Sequence, residues 1–322
     1  MSGLQIRPFE ERHVEDAGVL LATRHAQHRK GQPMLAERFE RAQDATRLVA
    51  SVFGATDSSG AVALTRSGVS GFLIGAPQSV ASWGRKVWVD SAGHAVQDAE
   101  VVRDLYAVAA DRWVDEGRSA HYVVVPCDDT AVVDAWFRLG FGQQHTHALR
   151  SASAPAVRKP GRCVVRRAER TDIAALAELD LLLPSHQSRS PVFVRAPAQT
   201  IEQARAEWED SIDDAEFANF VAVVDGRVVG SAVGCSVTHS SIHTGVARPV
   251  DAGLLAFAAV RPESRGRGIG RALANAVHTW IAESGYRSAV IDWRTTNLLS
   301  SRTWPKLGYQ PTFLRLHRLI GH

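Results

Sequence analysis

Two glycine pairs with identical spacing constrain this chain more than any other feature: Gly117 and Gly140 in the first half, Gly285 and Gly308 in the second. Each pair begins where an amphipathic helix closes. In the second half Ile269, Ala272, Leu273, Ala276, Val277, Trp280 and Ile281 recur at the helical period, and Gly285 caps them. In the first half Val102, Leu105, Tyr106, Ala109 and Trp113 do the same ahead of Gly117. Each helix leads to a strand, Ala120-His-Tyr-Val-Val-Val125 or Ser288-Ala-Val-Ile-Asp292. Each half then ends on a helix, a glycine and an aromatic: Ala135-Trp-Phe-Arg-Leu-Gly-Phe141 and Thr303-Trp-Pro-Lys-Leu-Gly-Tyr309. Upstream, each half opens with a short strand and a helix, from Gln5-Ile-Arg-Pro8 toward Leu21 and from Cys163-Val-Val-Arg-Arg167 toward Leu182. A strand pair follows in each. Asn219–Val224 and Val228–Val233 flank Asp225-Gly-Arg227, a strong hairpin signal. Ala61–Thr65 and Val69–Ile74 flank Arg66-Ser-Gly68. A plan that occurs twice predicts a duplicated α/β (α+β) domain, each copy a twisted mixed sheet flanked by helices. The expected boundaries are 1–150, a Pro/Ala/Ser-rich linker at 151–162, and 163–322.

Bulk properties fit this. The 322 residues suffice for two domains, and 45% hydrophobic with 22% charged residues is the composition of a globular protein. No run of about 18 apolar residues suggests a membrane span, and the first residues lack the pattern of a secretory signal. Cys127, Cys163 and Cys235 are odd in number and have no Cys-x-x-Cys spacing, which argues against a disulfide framework or a zinc site and fits a cytoplasmic location. A net charge of +3 implies no nucleic-acid partner. Residues 1–150 carry 16 basic and 18 acidic groups (−2), and residues 151–322 carry 21 and 16 (+5). A mildly basic second half suits a polyanionic small ligand.

The chemistry concentrates in Leu254-Leu-Ala-Phe-Ala-Ala-Val-Arg-Pro-Glu-Ser-Arg-Gly-Arg-Gly-Ile-Gly-Arg-Ala-Leu273. An apolar strand ends near Val260, a glycine-rich turn follows, and the amphipathic helix begins. Such a turn lets backbone N–H groups converge, and a helix N-terminus adds unpaired donors and partial positive charge. Arg265, Arg267 and Arg271 add full charges, so a diphosphate is the natural ligand. The turn is not a Walker A loop, because the Gly-Lys-Ser/Thr ending is missing. Nor is it a Gly-x-Gly-x-x-Gly fingerprint, because the last position falls on Arg271 or Leu273. It satisfies Arg/Gln-x-x-Gly-x-Gly/Ala at Arg265, Gly268 and Gly270.

With Val260-Arg-Pro-Glu263 before it and Arg271-Ala-Leu273 after it, this stretch resembles motif A of the GNAT N-acetyltransferases. Asn297-Leu-Leu-Ser-Ser-Arg-Thr-Trp-Pro-Lys-Leu-Gly-Tyr309 is similar to the family's motif B. The likeness covers most of residues 163–318. It implies acetyl-CoA as co-substrate and no metal. Arg265, Gly266, Arg267, Gly268, Ile269, Gly270 and Arg271 would hold the pyrophosphate, and Ala258 and Val260 would pair with the pantetheine arm and polarise the thioester carbonyl. Asn297 would contact CoA or cap a helix, and Ser300 and Ser301 would touch CoA or face solvent. The family's tyrosine acid aligns with Trp304, whose indole has no useful acidity. Tyr309 reads as core.

Matching the halves by their glycines puts Gln97-Asp-Ala-Glu-Val-Val102 opposite Arg265–Gly270, with Asp129 opposite Asn297 and Trp136 opposite Trp304. Carboxylates at Asp98 and Glu100 would repel a pyrophosphate, so the first half reads as a degenerate copy. The resemblance implies direct attack of an amine on the thioester. Asp292, Glu216, His239, His186 and His243 stand as candidates for the base, with none singled out. Residues 184–197 and 236–249 could line an acceptor pocket, and the acidic stretch 207–216 could attract a cationic amine or form a solvated helix face. The expected acceptor is a primary amine of a small molecule or peptide, with no nucleic acid or membrane partner, in a monomer or homodimer. The rival reading is a non-catalytic acyl-CoA sensor or scaffold on the same fold.

Overall fold

The computed structural model describes residues 3–80, 84–153, 163–194 and 199–321. Most of the expected linker, 154–162, and residues 195–197 of the expected acceptor stretch lie outside these. The elements run β1 (Gln5–Pro8), α1 (Val14–Gly31), α2 (Ala42–Phe53), β2 (Ser59–Thr65), β3 (Gly68–Val80), β4 (Gly84–Val89), β5 (His94–Val96), α3 (Val101–Asp115), β6 (Ala120–Pro126), α4 (Thr130–Arg138) and β7 (Gly142–Ser151). They continue with β8 (Cys163–Arg167), α5 (Ile173–Asp180), α6 (Leu182–Gln187), α7 (Ile201–Ser211), β9 (Ala218–Val224), β10 (Arg227–Ser236), β11 (Ala252–Val260), α8 (Ile269–Glu283), β12 (Ser288–Arg294), α9 (Leu298–Thr303) and β13 (Gln310–Leu319). Both glycine-closed helices, both strands after them and both hairpins lie where the periodicity places them. No helix of the described residues is long and apolar enough to cross a membrane.

The chain divides into two compact units that are not continuous in sequence. One takes Met1–His147, Ile242–Val250 and Pro311–His322; the other takes Ala148–Ser241 and Asp251–Gln310. Two segments that sequence position groups with the second half thus belong to the first unit. The physical reason is strand pairing: β13 runs antiparallel to β6, from Phe313 opposite Pro126 to Leu319 opposite Ala120. In the first unit the sheet order is β1-β2-β3-β4-β6-β13, with β5 beside β3. Tyr106, Trp136 and Phe141 pack edge to face beneath it, with ring centroids 4.7 to 5.6 Å apart. This cluster explains the recurring glycine–aromatic ending: Gly140 turns the chain at φ 80° and delivers Phe141 to the core.

In the second unit the order is β12-β11-β10-β9-β8. The β9–β10 hairpin turns at Asp225 and Gly226, both with positive φ (48° and 78°), the geometry of a type I′ turn. Against β10, Val233 faces Phe257 and Gly234 faces Leu255, so Ala256 is the extra residue of a bulge in β11. On its other edge β11 pairs parallel with β12 only through Ala252, Gly253 and Leu254. Beyond Leu254 that edge of β11 is released from the ladder. Helix α8 closes this face of the sheet, burying Ile269, Leu273, Ala274, Val277 and Ile281 with Leu255, Ala289 and Ile291.

Candidate functional site

The end of β11, the following turn, the first turns of α8, helix α9 and helix α6 enclose a cavity of about 740 Å³ within the second unit. All ten residues that the motifs nominate for the cofactor line it: Ala258, Val260, Arg265, Gly266, Arg267, Gly268, Ile269, Gly270, Arg271 and Asn297. Gly266 and Gly268 adopt φ of 76° and 81°, which an L side chain rarely tolerates. These two left-handed residues turn the chain from the end of β11 into α8. The backbone N–H groups of Gly266, Arg267, Gly268, Ile269, Gly270 and Arg271 donate to no acceptor among the described residues, and Gly268 at the N-cap supplies no side chain. The first intrahelical bond is Ala272 N–H to Gly268 O, at 3.0 Å. A row of free donors at a helix start is an anion cradle.

The charges agree. Arg265, Arg267, Arg271, Arg302 and Lys306 line the cavity, and no Asp or Glu does. None of these five forms an ion pair with a carboxylate among the described residues. Arg265 Nε is held on Val260 O at 3.1 Å, which ties the turn to the end of β11. Arg302 and Lys306 escaped the sequence reading; their motif-B spacing offered no signal beyond charge. Asn275, one helical turn beyond Arg271 on α8, was visible in principle as an i,i+4 neighbour on the same face.

Asn297 is a helix cap, one of its two expected roles, and stands in the cavity wall. Its Oδ1 caps α9 by accepting Ser300 N–H at 3.4 Å, and the residue lines the cavity. The same oxygen lies 3.3 Å from His186 Nε2, so α6 is linked to α9 across the cavity wall. Ser300 lines the cavity, whereas Ser301 does not and donates to Thr295 O at 2.7 Å. Trp304 also lines it, and its ring meets Tyr309 edge-on at 6.2 Å. Tyr309 itself is buried away from the cavity, with its hydroxyl 2.9 Å from His278 Nε2. Burial pushes its phenol well up and pushes His278 down to about 3. Tyr309 is therefore core, as its position after glycine suggested.

Of the five candidate bases, only His186 lines the cavity. Glu216 and His239 pair with each other at 3.2 Å elsewhere in the unit. Asp292 sits on β12 outside the lining. His243 belongs to the first unit, where its ring lies 4.9 Å from that of His147. No residue of 236–249 lines the cavity. In the acidic stretch, Glu207–Ser211 form the end of α7, whose Trp208 turns inward.

The corresponding helix of the first unit is closed. At the start of α3, Asp98 Oδ1 accepts Glu100 N–H at 3.0 Å. The N–H groups of Val101, Val102 and Arg103 bond to Asp98, Ala99 and Glu100 carbonyls. Glu100 is paired with Arg138 and Arg103. Its carboxyl is held below the usual range by those guanidiniums, Arg138 first. The N–H groups of residues 100–103 are thus engaged locally.

Comparison with known proteins agrees with this geometry. The model of the acetyltransferase (GNAT) family matches residues 180–309. Aminoglycoside N(6')-acetyltransferase type 1 of Stenotrophomonas maltophilia is 31% identical over 163 residues, which make up 50% of this chain and 90% of that protein. A GCN5-related N-acetyltransferase from Sphaerobacter thermophilus superposes with a TM-score of 0.60 at 14% identity, covering 99% of this chain and 96% of its own. The glucosamine N-acetyltransferase region of a fungal multi-domain GH3 β-N-acetylglucosaminidase gives 0.53 at 17% identity, covering 98% of this chain and 38% of that one. At such identities the two structures speak for the fold alone. Together these define the class, an acyltransferase of acyl-CoA-dependent N-acetylation. The chain belongs to the GNAT family.

Proposed function

We propose that the protein transfers the acetyl group of acetyl-CoA to a primary amine of a small molecule or peptide, by direct attack of the amine on the thioester. The observation that carries this reading is the cradle: six consecutive unpaired N–H groups from Gly266 to Arg271 in a cavity with five cations and no carboxylate. A pyrophosphate supplies the acceptors those donors lack. The released edge of β11 at Ala258 and Val260 gives the pantetheine arm a strand to pair with, and a backbone donor at the thioester carbonyl would stabilise the developing oxyanion. A small-molecule amine is favoured by the aminoglycoside acetyltransferase relative. The first unit takes no CoA in this scheme.

Calorimetric titration with acetyl-CoA of the wild type and of Gly268→Glu tests it. One site per chain is expected, with affinity reduced at least about 100-fold in the variant, because a carboxylate enters the anion cradle at a strained φ. A thermal melt checks that the variant is folded. A panel of amines, followed by release of free thiol, then identifies the acceptor class. A folded wild type that does not bind acetyl-CoA overturns the proposal; binding without turnover of any amine favours the sensor reading.

A further inference from the structure

The cavity offers few ways to move a proton. No Asp, Glu, Cys or Tyr lines it, the guanidiniums of Arg265, Arg267, Arg271 and Arg302 do not release protons, and Trp304 has no acidic proton of use. His186 is the one imidazole in the lining, and imidazole is the side chain that both takes and gives a proton near neutrality. Its placement also fixes its tautomer. Asn297 Oδ1 is identified as the oxygen by the Ser300 N–H it accepts at the start of α9. The His186 nitrogen 3.3 Å from that oxygen must therefore donate. With the proton on Nε2, Nδ1 carries the lone pair, and Nδ1 has no hydrogen-bond partner among the described residues.

We infer that His186 is the acid–base group of the acetyl transfer, a role that rests on the acetyl-CoA reading of the cavity. The amine nitrogen forms its bond to the thioester carbon, and the resulting ammonium gives its proton to His186 Nδ1. The C–S bond then breaks, and His186 returns that proton to the CoA thiolate. Amide and thiol are formed with no net proton taken up or released. One residue performs both transfers, which accounts for a tryptophan at 304 without a second acid. Asn297 is the positioning residue: it holds the ring through Nε2 and leaves Nδ1 free. The charged residues that line the cavity with His186 are Arg265, Arg267 and Arg271 from the turn and α8, Arg302 from α9, and Lys306 beyond it. The carboxylates of neighbouring α5 are engaged elsewhere, Glu178 with Arg261 and Asp180 with Trp208.

The test compares wild type, His186→Gln and His186→Ala. Glutamine can still donate to Asn297 Oδ1 but cannot carry the proton. Three readouts are taken: acetyl-CoA affinity by calorimetry, transfer to an aminoglycoside bearing a primary 6′-amine across pH, and the imidazole nitrogen resonances of the wild-type acetyl-CoA complex. The expected result is affinity within about threefold in both variants. Transfer should fall about 10²- to 10⁴-fold in both. The resonances should show His186 protonated at Nε2 only. A ring protonated at Nδ1 overturns the proposal whatever acceptor is used. So does glutamine restoring transfer to within threefold of wild type, which would make the role structural. A wild type that fails to bind acetyl-CoA removes instead the reading on which this rests.

Discussion

Asp180 shows how a single side chain can set a pH dependence of stability. It ends α5 and accepts Trp208 Nε1–H at 2.5 Å, tying α5 to α7. Burial raises its carboxyl from the usual 3.8 to about 6, against the opposing effect of the tryptophan hydrogen bond. Because the folded-state value lies above the unfolded one, the folded protein binds the extra proton. That contribution is fully present below pH 3.8 and is lost as pH rises through about 6. Above pH 6 the ionised carboxylate is a cost. Asp180→Asn keeps the acceptor oxygen and cannot ionise, so it should be more stable than wild type by about 1–2 kcal/mol at pH 8. The difference should shrink toward pH 4. Urea denaturation of both proteins at several pH values measures it. Buried His25, His28, His94, His121 and His278, pushed down to between about 3 and 4, titrate in both chains and cancel in the difference. Equal stability at pH 8 would mean that Asp180 is solvated.

At the level of elements, the site depends on how closely α8 lies on β10 and β11. A Cβ at Gly253 would stand 2.5 Å from Ile281 Cγ1, and one at Gly234 would stand 2.9 Å from the Trp280 ring. These glycines let the helix settle on the strands, and its N-terminus then meets the end of β11 at the cradle. Ile281 is fully buried and cannot move aside. Gly253→Ala should therefore cost about 1–3 kcal/mol by overpacking. It should also weaken acetyl-CoA binding from a position that does not line the cavity, because displacing α8 displaces its six donors. Urea midpoints and calorimetry on the same samples check both effects; unchanged binding would show that the cradle is held by its turn alone. The contrast with α3 has the same physical basis. Two helices of equivalent place and length differ at their starts: at one, Asp98 Oδ1 accepts the Glu100 N–H, and the other is opened by Gly266 and Gly268.

For the whole molecule, the path of the chain matters more than its halves. β13 follows the second unit in sequence but pairs with β6 of the first, where Phe313 and Leu316 are fully buried. Phe313 also meets His28 edge-on at 4.7 Å. Each such side chain contributes roughly 1.5–3 kcal/mol on burial, against a total domain stability of about 5–15 kcal/mol. A chain ending at Gln310 should therefore lose the fold of its first unit. Hydrogen exchange would show this as loss of protection at the amides of Ala120–Pro126. Protection equal to that of the full chain would mean that β6 stands without its partner.

Local signals were legible in the sequence because local physics sets them. The helical period of Ile269–Ile281, the positive-φ turn at Asp225-Gly226 and the glycines of the cradle all act within a few residues of themselves. So the cradle, the degenerate start of α3 and the cap at Asn297 could be read from residue order, and the family resemblance followed from them. What sequence could not decide was which distant groups share a space. His186, Asp292, Glu216, His239 and His243 were equivalent as candidates, since nothing in linear order separates a histidine that packs beside Asn297 from one that pairs with Glu216. The exchange of β13 into the first unit was equally invisible: a strand's alternation tells which face is buried, not which edge accepts it. The sequence by itself determined the recurring strand–helix plan and the glycine turn of the cradle. The tertiary structure alone decided the cavity wall that brings in α6 and the partner of the last strand, because both depend on long-range packing.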